Sequence, residues 1–192
     1  MCELADKRTL NVSSDNYSSV CVHNGKIFAA IKAKQVEVHV FEPTIKKRNV
    51  TFFTMNAQRS LKLHRHVKPE AVVTLAVSNE NLVCCSREDN KILMFSLHGW
   101  QMQPVHMTTS GEAGSFSQPY ICCTDGRSDV LIADHGNNRL QVMTSDGRFS
   151  VLRTSFIVEQ PRAATFHKNS LVIVSTHESH PTLVKMTGGG IF

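Results

Sequence analysis

Apolar residues in this chain come in short runs, broken by stretches rich in Gly, Asn, Asp, Ser and Pro. Runs of that length, carrying many β-branched residues, predict strands rather than helices. Residues 19–31 hold two runs on either side of Asn24-Gly25, a hairpin signal. Residues 36–41 alternate apolar and polar, and 50–55 follow after a turn at Pro43. The grouping returns at 72–77, 81–85, 92–97 and 102–107. It returns again at 120–123, 130–133, 140–143 and 149–152, with Asp146-Gly147 marking another hairpin. A last set covers 162–166, 171–175, 183–186 and 188–192. Val130, Leu131, Ile132 and Ala133 form an unbroken apolar run, as expected of a strand covered on both faces. No long helical period intervenes. Residues 57–68 could form a short helix, and 108–118 read as a plain loop.

These runs sort into four units of four strands. Their second strands can be lined up on Ala29, Cys84, Ile132 and Ile173, at intervals of 55, 48 and 41 residues. The last interval matches a four-stranded propeller blade of about 40–45 residues, and the longer ones need longer connections. In the third unit, His135-Gly136-Asn137-Asn138 is a tight connection of residues that tolerate positive φ. Asp134 and Arg139 flank it. A carboxylate–guanidinium contact there, bidentate in its best geometry, would fasten the two strand ends together.

The third unit resembles one NHL repeat, the blade of a family of β-propellers. Asp134, Gly136, Asn137, Arg139, Leu140, Gln141 and Val142 carry the likeness, with Asp146-Gly147, Phe149 and the upstream Gln118-Pro119. It is firm over residues 118–166 and architectural elsewhere. Ser86 and Ser175 stand where the third unit has Asp134, and Lys91 stands for Arg139. The resemblance implies an all-β fold, a partial NHL-type propeller of about four four-stranded antiparallel blades. The blades are expected at 17–55, 69–107, 118–156 and 160–192. Residues 1–16 would form an N-terminal segment, in which 8–12 could supply one pairing strand. Asp134, Gly136, Arg139 and Gly147 would be the structural marks of the blade. NHL propellers usually have six blades, so three readings stay open. The chain is part of a longer protein, or closes as a small ring, or completes its ring by self-association through open sector faces.

Composition narrows the classes. The chain has 192 residues, with 41% hydrophobic and 19% charged, ordinary for a globular domain. No apolar run approaches the ~18 residues of a membrane helix, and the first residues lack the apolar core of a signal peptide. Cys84-Cys85 and Cys122-Cys123 sit inside predicted strands, where neighbouring side chains point to opposite faces. Buried, unbridged thiols are expected there, which points to a reducing, cytoplasmic setting. Three Asn-x-Ser/Thr triplets, at Asn11, Asn16 and Asn49, read as chance without a secretory signal.

No site for chemistry emerges. There is no Gly-x-Ser-x-Gly elbow. His64-Arg-His66 and His177-Glu-Ser-His180 are the dense histidine sites, and no Cys-x-x-Cys completes a zinc set. No catalytic residue, cofactor or metal ligand is assigned, and ubiquitin ligase chemistry would need a RING module whose cysteine/histidine array the sequence lacks. The resemblance implies a binding platform instead, the substrate-recognition propeller of a tripartite-motif (TRIM-NHL) ubiquitin ligase system. The formal charge of +5 suits an acidic partner. In a four-stranded blade the turn between strands 2 and 3 and the link to the next blade leave on one face. That face would carry Lys32, Lys34, Arg59, Lys62, Arg65, Lys68, Arg87, Lys91, Asn137, Asn138 and Arg139. A protein partner is the first expectation. Single-stranded RNA is the alternative, with Lys and Arg on phosphates and amides on base edges. Aromatic residues make up only 7% of the chain, which thins any base-stacking platform.

Overall fold

The structure of the protein is a computed structural model that describes residues 17–32, 34–41, 43–47, 50–53, 59–63, 66–98, 104–107, 113–125, 128–154, 157–167 and 170–175. It is built of antiparallel sheets, with no α-helix among the described residues. No helix there is long and apolar enough to cross a membrane. In the first sheet β1 (Tyr17–His23), β2 (Lys26–Ile31), β3 (Glu37–Phe41) and β6 (Arg59–Lys62) lie side by side in that order. Between β3 and β6, β4 (Pro43–Lys47) and β5 (Val50–Phe53) form a separate hairpin. The second sheet runs β7 (Val73–Ser78), β8 (Asn81–Ser86), β9 (Lys91–Ser96), β10 (Pro104–Met107). The third runs β11 (Pro119–Thr124), β12 (Val130–Asp134), β13 (Arg139–Met143), β14 (Phe149–Leu152). Of a fourth sheet, β15 (Pro161–His167) and β16 (Ser170–Ser175) are described. The strands expected at 183–186 and 188–192, and at 8–12, lie outside the described residues.

The sheets stack face on face, and each interface is one hydrophobic core. Phe28, Ala30, Val38, Val40 and Leu61 of the first sheet meet Leu75, Leu82, Cys84, Leu93 and Phe95 of the second. The far side of the second sheet, through Val83, Cys85, Ile92 and Met94, meets Ile121, Val130, Ile132 and Met143 of the third. Leu131, Ala133, Leu140 and Val142 then meet Ala164, Leu171 and Ile173. Successive residues of one strand thus serve successive cores, which is why the middle strands carry apolar residues without alternation. Cys84 and Cys85 part in this way, one into each core. Cys84, Ile132 and Ile173 hold the same register, and each points toward the preceding sheet.

First strands contact one another in the order β1–β7, β7–β11, β11–β15, so they line the inside of an arc. Their contacts include hydroxyl bridges at one repeated position. Ser19 Oγ accepts the Leu75 N–H at 3.0 Å, and Thr74 Oγ1 accepts the Ile121 N–H at 2.9 Å. Among the described residues no comparable contact joins β15 back to β1. At the leading end of the arc, Val20 and Val22 of β1 are 58% and 67% exposed. This is a partial propeller.

Three expectations are corrected. The outer strand of the first blade is β6, not 50–55, whose β5 pairs with β4 instead. The reason lies in the core: Leu61 and Leu63 alternate with polar neighbours and fill the interface with the second sheet. The same alternation makes 59–62 a strand rather than part of the short helix expected at 57–68; among the described residues Val67 N–H donates to Leu63 O at 3.1 Å. Third, Cys122 and Cys123 are half-buried rather than buried, because the register shifts between Ile121 and Cys123. Cys21, Cys84, Cys85, Cys122 and Cys123 are all thiols. Burial pushes Cys21 and Cys122 up to about 12 and raises Cys84 and Cys85 as well.

Candidate partner-binding face

The turns β2–β3, β8–β9 and β12–β13 leave the same end of the arc as the links between blades. On the third blade this end is organised by one carboxylate. Asp134 is fully buried at the end of β12. Its Oδ1 accepts the Ser117 N–H at 2.7 Å, and both oxygens accept from Asn137 Nδ2, at 3.1 and 2.9 Å. Arg139 Nε and Gln141 Nε2 donate to Oδ2, at 2.8 and 2.9 Å. A buried charge is tolerated when its lone pairs are filled in this way. The contact with Arg139 is real but not bidentate. The other arm of the guanidinium donates to Ser115 O at 2.9 Å instead. Gln141, buried beside it, donates to the same carbonyl at 2.8 Å and accepts the Gly114 N–H at 2.9 Å. One cluster therefore straps the incoming link, 114–117, across the top of the blade.

Gly136 is required for a reason other than the one its sequence context suggests. It does not take a positive φ; Asn138 does, at 54°. Gly136 donates its N–H to Ser117 O at 2.8 Å, and a Cβ there would lie 2.2 Å from Ser117 Oγ. The glycine permits close approach of the strap. Gly147 does take a positive φ, 85°, in the 144–148 turn at the opposite end.

The second blade reaches a similar end with other residues. Ser86 replaces Asp134, and the carboxylate moves to Asp89. Ser86 Oγ donates to Asp89 Oδ2 at 2.6 Å, and Lys68 N–H donates to the same oxygen at 2.9 Å. Glu88 Oε2 accepts the Val72 N–H at 2.8 Å. A second device repeats between blades. Asn90 Oδ1 accepts the Gln118 N–H at 2.8 Å, and Asn138 Oδ1 accepts the Gln160 N–H at 2.9 Å. Each Asn and each Gln in these pairs has a positive φ. The turn of one blade thus holds the entry to the next.

These bonds sort the basic residues expected on this face. Arg139 is tied into the Asp134 cluster, and Lys68 lies 4.0 Å from Asp89 and donates to Glu88 O at 3.2 Å. Lys32, Lys34 and Lys62 are exposed, and Lys91 is half-buried opposite Ser86. Among the described residues none of these four has a carboxylate partner. Asn137 and Asn138 are exposed, but each uses its amide in the bonds given above. Arg59 pairs through its backbone with Val40, its side chain lying outside the description; Arg65 and His64 also lie outside it.

One group is brought together that the sequence reading did not single out. Tyr120, second residue of β11, has the Arg87 guanidinium 5.5 Å and the Arg162 guanidinium 5.9 Å from its ring centre. His135 stands edge-on to it, with ring centres 6.0 Å apart and an 84° angle. Arg87 donates to Gln118 Oε1 at 3.1 Å. The signal was present: Gln118-Pro119-Tyr120 and Gln160-Pro161-Arg162 are one tripeptide frame used twice. At the opposite end of the arc, two carboxylates among the described residues have local partners. His23 and Asn24 bond Glu80, at 3.1 and 3.2 Å, and Arg148 bonds Asp146 at 2.7 Å. The Thr144 hydroxyl, followed by Arg148, lowers Asp146 to about 2. No three His, Cys, Asp or Glu side chains come together as a metal-holding group among the described residues.

No family model matches the sequence, and no curated protein matches it. Solved structures do resemble it in shape. Selenomethionine-substituted virginiamycin B lyase from Staphylococcus aureus is 14% identical with a TM-score of 0.53, the match covering 93% of this chain and 57% of that one. BamB from Moraxella catarrhalis is 13% identical with a TM-score of 0.54, over 84% of this chain and 45% of that one. The chain therefore spans little more than half of the lyase and less than half of BamB. The computationally designed Ika4 protein is 12% identical with a TM-score of 0.56, over 94% of this chain and 96% of that one. At such identities the likeness is one of fold, and the fold is that of a β-propeller, here as an arc of blades.

Proposed function

We propose that the chain is a non-enzymatic binding platform that takes a protein partner on the face formed by the β2–β3, β8–β9 and β12–β13 turns. The observation that carries this reading is the combination of fixed backbone and unspent charge. The Asp134 cluster and the Asn90–Gln118 and Asn138–Gln160 bonds hold the loops in place, while Lys32, Lys34, Lys62, Arg87 and Arg162 are left without carboxylate partners among the described residues. A preordered surface loses little entropy on association, and unpaired cations steer an acidic partner. The NHL-like third blade suggests the setting: substrate recognition in a TRIM-NHL-like ubiquitin ligase system, in the cytoplasm, with the ligase module supplied elsewhere. Single-stranded RNA on the same cations is the competing reading.

Comparative capture from cell extract separates them. Proteins retained by the parent chain should be lost by K32E/K34E/R87E and kept by R148E at the opposite end, and ribonuclease should leave them in place. Capture that survives the triple reversal, or that ribonuclease abolishes, would overturn the reading, the latter in favour of RNA.

A further inference from the structure

We propose that Arg87 and Arg162, set over Tyr120 beside Gln118 and His135, form a carboxylate-binding site for an acidic peptide segment. This rests on the protein-binding reading and names its anchor. The two guanidinium groups come from different blades, Arg87 from the β8–β9 turn and Arg162 from β15, and they converge on one ring at 5.5 and 5.9 Å. Arg162 is exposed, and its contact with the ring is the one it makes among the described residues. Arg87 spends one nitrogen on Gln118. Among the described residues neither guanidinium is in an ion pair with a carboxylate of the neighbouring turns. Asp89 holds Ser86 and Lys68, Glu88 holds the Val72 N–H, and Asp134 holds its own cluster. Two guanidinium groups on one ring, neither in an ion pair among the described residues, favour an anion there.

The anion is best matched by a carboxylate. Guanidinium presents paired N–H donors that fit a carboxylate edge on. Gln118 accepts from Arg87 through Oε1, so its Nε2 hydrogens remain as donors to a peptide carbonyl. The His135 ring packs against Tyr120 beside the same spot. A nucleobase would need a free aromatic face to stack on. Here two guanidinium groups compete for the ring, and His135 is turned perpendicular to it with Nδ1 3.3 Å from Pro161 O. The site spans the boundary between the second, third and fourth blades, so it exists only where the blades are assembled.

The test uses fluorescence anisotropy with a short peptide carrying a run of glutamates, its glutamine counterpart, and a single-stranded oligouridylate. The glutamate peptide should bind at low ionic strength, weaken as salt rises, and outcompete the glutamine form. R162Q should lower its affinity about tenfold or more, as loss of a charged hydrogen bond does, and R162K should fall between. Because Arg162 is exposed, R162Q should melt with the parent, which keeps a loss of binding interpretable. Unchanged affinity in R162Q, or equal binding of the two peptides, overturns the site. If R162Q is silent but K32E/K34E abolishes peptide binding, the site fails while the face survives. If neither matters, both fail. Oligouridylate that binds more tightly than the peptide, and is released by R162Q, overturns the peptide assignment.

Discussion

A buried carboxylate costs stability unless its oxygens are filled, and Asp134 fills them from Ser117, Asn137, Arg139 and Gln141. The same bonds set the height of the strap over the third blade, so residue-scale chemistry decides the shape of the outer face. Gly136 is the complementary element, since the strap passes where its side chain would be. G136A should therefore cost about 1–3 kcal/mol by overpacking. S117G should recover part of that loss in the double variant, because the clash is first with the Ser117 side chain. Chemical denaturation of the four proteins measures both effects. A G136A chain as stable as the parent would mean that the strap does not lie against the turn. The NHL-like residues made this cluster legible in part. Asp134, Arg139 and Gly136 stand out by type and spacing. Gln141 is invisible as a buried hydrogen-bonding group, because in sequence it looks like one polar residue of a half-exposed strand.

At the scale of elements, the strands were legible wherever an apolar run was long and bounded by turn residues. Runs such as 81–85, 92–97 and 130–133 are buried on both sides, and that demand leaves no other reading of them. The outer strand of the first blade was missed because 50–55 is more apolar than 59–62, and strand pairing is decided by core contact rather than by hydrophobic content. Leu61 and Leu63 are the residues that reach the core. L61A should cost about 2–5 kcal/mol, the usual range for a buried leucine. A loss well below about 1 kcal/mol in denaturant unfolding would place β6 outside the blade. Asp89 escaped notice for a related reason. The second blade moves its carboxylate from the strand end into the turn, so a position-by-position match to Asp134 finds only Ser86. The two Gln-Pro entries were readable as a repeat, but what they bring to Tyr120 depends on how three blades meet, which no local pattern encodes.

At the scale of the whole molecule, the described chain is an arc whose two ends use their polar side chains differently. Among the described residues of one end, Arg148 pairs with Asp146 and His23 bonds Glu80. The other fixes its loops with neutral amides and buried carboxylates and leaves arginines facing outward. The second end is the recognition surface we propose. Hydrogen exchange with and without the glutamate peptide tests this most directly. Exchange should slow at 86–91, 117–120, 134–139 and 160–162, and stay unchanged at 24–25, 79–80 and 144–148. Slowing confined to the second set, or none at saturating peptide, would contradict it.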